Sequence, residues 1–238
     1  VGKLFSLFPP DDVEFWMARN FRTRVQIGAY ILIVFASYLL GSVPTGYLAA
    51  KSRGIDIRTV GSGNIGATNV LRTLGKTAGF AVLAIDGMKG FAAARWMPLL
   101  ALHVFPQSTA EKEHLALVAG VAVILGHNYT CWLSFKGGKG IATSAGVVMA
   151  WAPLACVTAL ATWGLVFVAT KYVSVASLAA AVVLPPAVWF WNGSLTMTGV
   201  MTALSALAFY KHKGNIRRLL DGTESRVGKK SEIKETAQ

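Results

Sequence analysis

The chain has 238 residues, 54% hydrophobic and only 14% charged, with a mean hydropathy of +0.51. A soluble domain carries about a quarter charged residues, so this composition excludes an ordinary water-soluble domain and places the chain in the bilayer. The formal charge of +12 comes from basic residues clustered at the ends of apolar runs rather than on one broad face. That distribution argues against nucleic acid and for anionic lipid headgroups or phosphorylated substrates.

Val1–Arg24 mixes Lys3, Arg19, Arg22 and Arg24 with acids, aromatics and Pro9-Pro10. It has neither a signal-peptide core nor a small-residue cleavage site, and reads as an interfacial amphipathic segment. Val25–Ala50 carries no charge and is the clearest opening span. Ala78–Pro106 follows, interrupted by Asp86, Lys89 and Arg95; Leu115–Phe135 is the third pass, with His127 and Asn128 near its end. Tyr172–Tyr210 is divided by Pro185-Pro186 and Asn192-Gly193 into Val173–Phe190 and Leu195–Tyr210.

Ile141–Thr170 is either one tilted helix or two short legs around Ala152-Pro153. If the first span delivers Gly61–Gly75 to the cytoplasm, two more passes return His127–Gly140 to that side. The basic tail (Lys211, Lys213, Arg217, Arg218) also favours the cytoplasm, which requires an odd number of spans and therefore the split. The expected fold is an all-α integral membrane protein with seven transmembrane helices, several short or broken, and glycine-rich cytoplasmic loops. Its parts are an interfacial segment (1–24), a membrane domain (25–210) and a basic cytoplasmic tail (211–238). Cys131 and Cys156 fall in apolar surroundings without a metal pattern and are expected to be free.

Gly61-Ser62-Gly63-Asn64-Ile65-Gly66 has the spacing G-x-G-x-x-G, but no βαβ unit surrounds it, so a dinucleotide fold is not implied. Compact glycine turns still let backbone amides converge on an anion. Ser62, Asn64, Thr68 and Asn69 add neutral hydrogen-bonding groups, and Arg72 can grip phosphate with its planar fork. The competing reading is a loop whose Ser and Asn cap a short helix while Arg72 meets headgroups. Arg53, Arg58 and Lys76 flank the loop as topology determinants or headgroup contacts.

Phe135-Lys136-Gly137-Gly138-Lys139-Gly140 is not a Walker A sequence, because Lys139 is not followed by Ser or Thr after the required glycine spacing. A Gly-Gly turn can place Lys136 and Lys139 around a phosphoryl group, or serve as a positive-inside anchor with a bend. Thr143 and Ser144 can cap the next helix. His212 and Asn215 share a face if the last helix continues through them. Ser174 and Ser177, also three apart, either line the same pocket or bond to helix backbone. Asp86 and Lys89 form a further i,i+3 pair, deep in an apolar pass, where structural pairing and orientation of the phosphate site are the two readings.

Four segments in order, GSGNIGATNVLRTLG, HNYTCWLSFKGGKGIAT, KYVSVAS and HKGNIRRLLDGTE, carry a resemblance. Over about Ile31–Glu224 the chain resembles the bacterial membrane family of acyl-phosphate-dependent glycerol-3-phosphate acyltransferases. It lacks the H-x-x-x-x-D signature of other acyltransferases. It departs from the family at Tyr129-Thr130-Cys131, where proline is often expected, a change that can alter the local turn. The resemblance implies transfer of a fatty acyl group from acyl phosphate to the 1-hydroxyl of sn-glycerol 3-phosphate, giving lysophosphatidate and phosphate, with no cofactor or metal. It favours seven helices in a bacterial inner membrane and an acyl-phosphate-producing enzyme upstream.

On this reading Ser62, Arg72, Lys139, His212 and Asn215 are catalytic. Gly61, Gly63, Asn64, Asn69, His127, Asn128, Lys136, Gly137, Gly138, Ser174 and Ser177 bind substrate. The family favours the phosphate of glycerol 3-phosphate as the base; His212 is the local alternative. A transporter of a small phosphorylated solute is the rival class, weakened by the lack of an evident internal repeat.

Overall fold

The computed structural model describes residues 10–228, with side chains from Trp16 onward; 1–9, including Lys3, and 229–238 of the expected tail lie outside the described residues. Ten α-helices and one 3₁₀ turn, and no strand, make up the regular structure of the described residues. They are α1 (Pro10–Ser42), α2 (Thr45–Lys51), α3 (Ala67–Leu74), α4 (Lys76–Val104), α5 (Lys112–Asn128), α6 (Ile141–Trp151), α7 (Pro153–Thr170), α8 (Val173–Asn192), α9 (Leu195–Lys211) and α10 (Lys213–Leu220).

Seven of these, α1 and α4 to α9, run to and from one end of the bundle, where all the polar motifs collect. Contacts among Asn128, Gly137, Lys139, Ser174, Asn215 and Glu224 fix that end. The sequence features that set the helix ends are local. α1 passes unbroken through residue 24 and stops at Val43-Pro44, because proline lacks an amide donor and disfavours helix in its predecessor. The expected opening span Val25–Ala50 is thus a long helix plus the short α2. Pro153 starts α7, as a first-turn proline can, so Ile141–Thr170 divides where the sequence reading placed the split. Pro185 and Pro186 do not end α8; the helix continues through both and stops at Gly193, whose φ is +64°.

The molecule is an integral membrane protein. Four segments of the described residues are long and apolar enough by composition to cross a bilayer: Trp16–Lys51, Lys112–Leu133, Pro153–Thr170 and Val173–Asn192. α6 has 11 residues and so extends only about 16 Å, half the hydrocarbon thickness. Large apolar side chains such as Phe35, Trp96, Leu165 and Phe190 are exposed on the outside of the bundle, as lipid contact demands.

Without a hydrophobic drive between helices in lipid, packing rests on close backbone approach. α1 lies against α5 with Gly126 facing the Tyr38 carbonyl, and α4 against α6 with Gly146 facing the Gly87 carbonyl; a methyl at either glycine would collide with backbone. Tyr38 Oη donates to the Tyr129 carbonyl at 2.7 Å and Thr130 Oγ1 to the Ser42 carbonyl at 2.5 Å. The departure at Tyr129-Thr130-Cys131 therefore forms a 3₁₀ turn, Cys131–Leu133, anchored to the end of α1. Both cysteines are free, Cys156 buried and Cys131 half-buried.

Candidate functional site

The first glycine-rich segment is a turn wound around one buried amide. Asn69, 1% exposed, donates through Nδ2 to the carbonyls of Ile57 (3.2 Å), Val60 (3.1 Å) and Asn64 (2.9 Å), and its Oδ1 accepts from the Ser62 amide at 2.9 Å. Gly61 and Gly63 adopt φ of +58° and +68°, the left-handed region that glycine tolerates best. Asn64 Oδ1 accepts from the Gly66 amide at 2.9 Å. Beneath the turn Ile57, Ile65, Val70 and Val82 form a small apolar core. Asn69 and Asn64 thus hold the loop, while Ser62 is exposed on it. Arg72, at the end of α3, reaches the Ser225 carbonyl at 3.3 Å.

The second segment lies on the last turn of α5. The amides of Gly137 and Gly138 donate to the carbonyls of Asn128 (3.2 Å) and His127 (3.0 Å). A methyl at Gly137 would collide with the His127 carbonyl, and one at Gly138 with the His127 ring at Nε2, so the turn lies directly against this residue. The His127 ring is buried and its Nδ1 faces Asp86 Oδ1 at 3.5 Å. Asn128 also accepts Lys211 Nζ at its carbonyl, 2.9 Å away, and its own Oδ1 is buried without a partner. Gly140, with φ of +79°, starts α6; neither Thr143 nor Ser144 caps that helix, and Thr143 Oγ1 is buried and unpartnered. Lys136 is exposed and Lys139 turns inward.

The inward lysine meets the C-terminal motif. Lys139 Nζ donates to Asn215 Oδ1, and Asn215 Nδ2 donates to Glu224 Oε1 at 2.6 Å. Ser174 Oγ also donates to Glu224 Oε1, at 2.8 Å, while Arg218 Nε meets Oε2 at 2.8 Å. α9 ends at Lys211 and α10 begins at Lys213, so the last helix does not continue through His212; a turn in which the Asn215 amide donates to the His212 carbonyl, at 2.8 Å, keeps both residues buried together.

Burial lowers the Lys139 ammonium to about 8, with Glu224 opposing and Arg218 and Arg72 adding to the shift. Desolvation and the neighbouring Lys139 lower His212 to about 4, so its imidazole is neutral at pH 7. Its Nδ1 lies 2.7 Å from the Ala208 carbonyl, which only accepts; Nδ1 therefore carries the proton and Nε2 keeps a lone pair. Burial raises the Glu224 carboxyl, but hydrogen bonds from Asn215, Ser174 and Arg218 outweigh it and hold the group below its ordinary value.

The structure thus brings Lys139, Asn215, Ser174, His212 and Arg72 around Glu224. Gly61, Ser62, Gly63, Asn64 and Asn69 stay in the first loop, and no hydrogen bond joins Ser62 to the Glu224 cluster among the described residues. His127 and Asn128 lie under the glycine turn. Ser177 Oγ donates to the Val173 carbonyl at 2.8 Å and accepts from Trp163 Nε1 at 3.2 Å, the backbone-bonding alternative. Sequence reasoning missed Glu224 as the centre of the cluster. The available signal was that it is an acid closing HKGNIRRLLDGTE, the most basic of the four segments.

An apolar cavity of about 80 Å³ opens between α6, α7, α8 and α9, lined by Ile141, Ala145, Leu160, Trp163, Ser177 and Ala208 among others. It adjoins the polar cluster: Ala208 bonds His212, Ile141 is two residues from Lys139, and Ser177 is one turn from Ser174.

Comparison with known proteins is consistent across sequence and fold. The family model described as glycerol-3-phosphate acyltransferase matches residues 31–222. The chain is 44% identical over 207 residues to the glycerol-3-phosphate acyltransferase of Thermoanaerobacter sp. (strain X514), covering 86% of this chain and 98% of that one. It is 45% identical over 196 residues to that of Geobacter metallireducens, covering 82% and 96%. Among solved structures it is similar to PlsY, an integral membrane glycerol 3-phosphate acyltransferase. The glycerol 3-phosphate form matches with a TM-score of 0.75 and 38% identity over 84% of this chain and 96% of PlsY. The lysophosphatidic acid form gives 0.73 and 37% over the same shares.

Proposed function

Because the chain belongs to the glycerol-3-phosphate acyltransferase family, we propose that it acylates the 1-hydroxyl of sn-glycerol 3-phosphate with acyl phosphate as donor. The observation that carries this reading is the junction of the cation-rich Glu224 cluster with the apolar cavity between α6 and α9. A substrate with a phosphate head and a hydrocarbon tail, joined at the reacting carbonyl, spans such a junction.

In the reaction the glycerol oxygen bonds to the acyl carbon and the carbon–oxygen bond to phosphate breaks, releasing inorganic phosphate. The hydroxyl proton passes to a phosphate oxygen of the glycerol 3-phosphate. The donor is already an activated anhydride, so neither a cofactor nor a covalent enzyme intermediate is needed, and positioning and charge stabilisation supply the acceleration. Lys139 and Arg72 face the phosphoryl oxygens, Asn215 aligns the carbonyl or phosphate, and Ser62 contacts the substrate from the first loop. Gly61, Gly63, Gly137 and Gly138 give the turns that expose backbone amides. Neutral His212 offers Nε2 as a hydrogen-bond acceptor to the attacking hydroxyl; at about 4 it is a weak base, which favours the substrate phosphate in that role.

The seven bundle helices, the short α6 reaching only partway, are read as the seven membrane helices of a bacterial inner-membrane protein, with the polar end cytoplasmic. There the soluble substrate enters, and there an acyl-phosphate-producing enzyme can deliver the donor. Acyl phosphate, acyl-CoA and acyl-carrier protein of one chain length, each offered with radiolabelled glycerol 3-phosphate to the purified protein, test the donor. Lysophosphatidate from acyl-CoA but not from acyl phosphate would overturn it. Reconstituted vesicles that accumulate unmodified glycerol 3-phosphate would instead support the transporter.

A further inference from the structure

A second buried charge cluster, separate from Glu224, lies under both glycine-rich segments. Asp86, in the second turn-pair of α4 and 2% exposed, accepts from Thr45 Oγ1 at 2.6 Å, pairs with Lys89 Nζ at 2.8 Å and faces His127 Nδ1 at 3.5 Å, all at the same oxygen, Oδ1. Lys89 Nζ also donates to the Val43 carbonyl at 3.1 Å, in the break between α1 and α2. One carboxylate oxygen therefore gathers groups from α2, α4 and α5.

Two of those groups lead directly to the loops. Thr45 is the first residue of α2, and its neighbour Gly46 lies so close to the Ile65 carbonyl that a methyl there would collide with it. Ile65 belongs to the first glycine-rich turn and packs with Ala50, Ile57 and Val70. On the other side the His127 ring stands between Asp86 and Gly138, while the His127 carbonyl holds the Gly138 amide at 3.0 Å. The sequence reading paired Asp86 only with Lys89 and assigned His127 to substrate.

We infer that Asp86 is a positioning residue that sets the register between the two glycine-rich loops, acting on the first through Thr45 and on the second through His127. A mid-helix charge in a membrane bundle is costly, and apolar packing alone would join these helices more cheaply. What the cluster supplies is directional placement. A reacting group displaced by about 1 Å can lose about a hundredfold in rate, so two subsites on separate loops need a shared reference. The inference rests on the proposed function in that both loops are taken to hold substrate groups.

The test uses the full chain with Thr45→Val, His127→Gln, Asp86→Asn and the charge-balanced double variant Asp86→Asn/Lys89→Met. Hydrogen exchange without substrate is followed in peptides covering 61–66 and 136–140, and initial rates are measured against each substrate. Loss of a hydrogen bond to a carboxylate should speed local exchange about tenfold. T45V is expected to do so in 61–66 alone, H127Q in 136–140 alone, and the Asp86 variants in both. T45V and H127Q should then raise the KM of different substrates at matched folded protein.

Equal loosening of both loops by T45V and H127Q, with a parallel fall in melting temperature and unchanged KM, would reduce the cluster to scaffolding and overturn the inference. Unchanged exchange in both variants would do the same. If the Asp86 variants fail to fold, T45V and H127Q, which remove no carboxylate or lysine charge, decide the matter. Failure of the wild-type chain to acylate glycerol 3-phosphate would refute the function instead, while the exchange pattern would still report on the Asp86 cluster.

Discussion

Asp86 and Glu224 are both buried carboxylates tied to several helices, yet their surroundings differ in charge. Asp86 is matched by Lys89, with Thr45 and His127 completing its contacts, and the cluster is closed within the bundle. Glu224 faces Arg218 directly, and Arg72 and Lys139 lie close enough to feel its charge. One carboxylate among three cations leaves positive charge uncompensated at the polar end. A cluster that satisfies itself organises structure, whereas one with surplus cations is prepared for an anion.

The sharpest way to break that contrast is to remove the surplus. Lys139→Ala or Arg72→Ala should cut kcat/KM by about 10²–10³, the magnitude associated with losing one preorganised charge-stabilising donor. Initial rates with acyl phosphate, at matched folded protein, check this. Near-normal kinetics in both variants would remove the two cations from the site. Lys139→Arg should lose less, because charge survives although the compact ammonium geometry does not.

The same surplus predicts a pH dependence. Lys139 is held at about 8, so its charged form dominates below that pH and is lost as pH rises through it. kcat/KM of the free enzyme should therefore decline above about pH 8. In K139R the guanidinium stays charged, and the decline should move to higher pH or vanish. A pH series with chemistry shown to be rate-limiting separates these outcomes; an identical alkaline limb in K139R would assign the titration elsewhere.

The sequence made the helices legible because apolar runs and helix-ending residues are local properties. Pro153 marked the α6–α7 split, but Pro185-Pro186 did not end α8, since tertiary packing and neighbouring polar groups can tolerate proline inside a membrane helix. Pro44 ended α1 within a run that its lack of charge made look continuous. At the site, Lys139 and Asn215 were legible as polar residues in two of the four segments, and the structure joins them by a hydrogen bond. Glu224 was not, because its importance lies in bonds to Ser174 and Asn215 from separate helices that sequence spacing does not display. Asn69 was read as a ligand, whereas its amide is used on three loop carbonyls.

His212 gives a smaller and more discriminating effect. If the substrate phosphate is the base, H212A should lose about tenfold in kcat, with its pH profile between 5.5 and 8 unchanged. The imidazole titrates near 4, below that window, so its removal takes away a hydrogen-bond acceptor rather than a titration. Loss of several thousandfold, together with loss of an acid-side rise centred near pH 4, would make His212 the base. The stability sign is separate. The folded value lies below the ordinary 6.5, so the unfolded chain binds more protons between the two, and wild-type stability falls as pH drops from 6.5 towards 4. H212A should flatten that part of a melting-temperature series.

A third carboxylate sets the lower bound of the comparison. Asp56 pairs with Arg58 at 2.7 Å in the loop before the first glycine turn, but both side chains are exposed to solvent. Hydrogen bonds from the Arg58 side chain and amide hold Asp56 at about 2, so any stability it contributes is present above 3.8 and lost only as pH falls through about 2. Exposed ion pairs gain little, since water screens them and two flexible side chains must be held. Asp56→Asn should therefore leave melting temperature and both KM values unchanged between pH 6 and 8, and salt should not alter that result. A kinetic change confined to glycerol 3-phosphate would show that this pair shapes the first loop. Surface pairing would then have to be counted with Asn69 among the features that hold the turn.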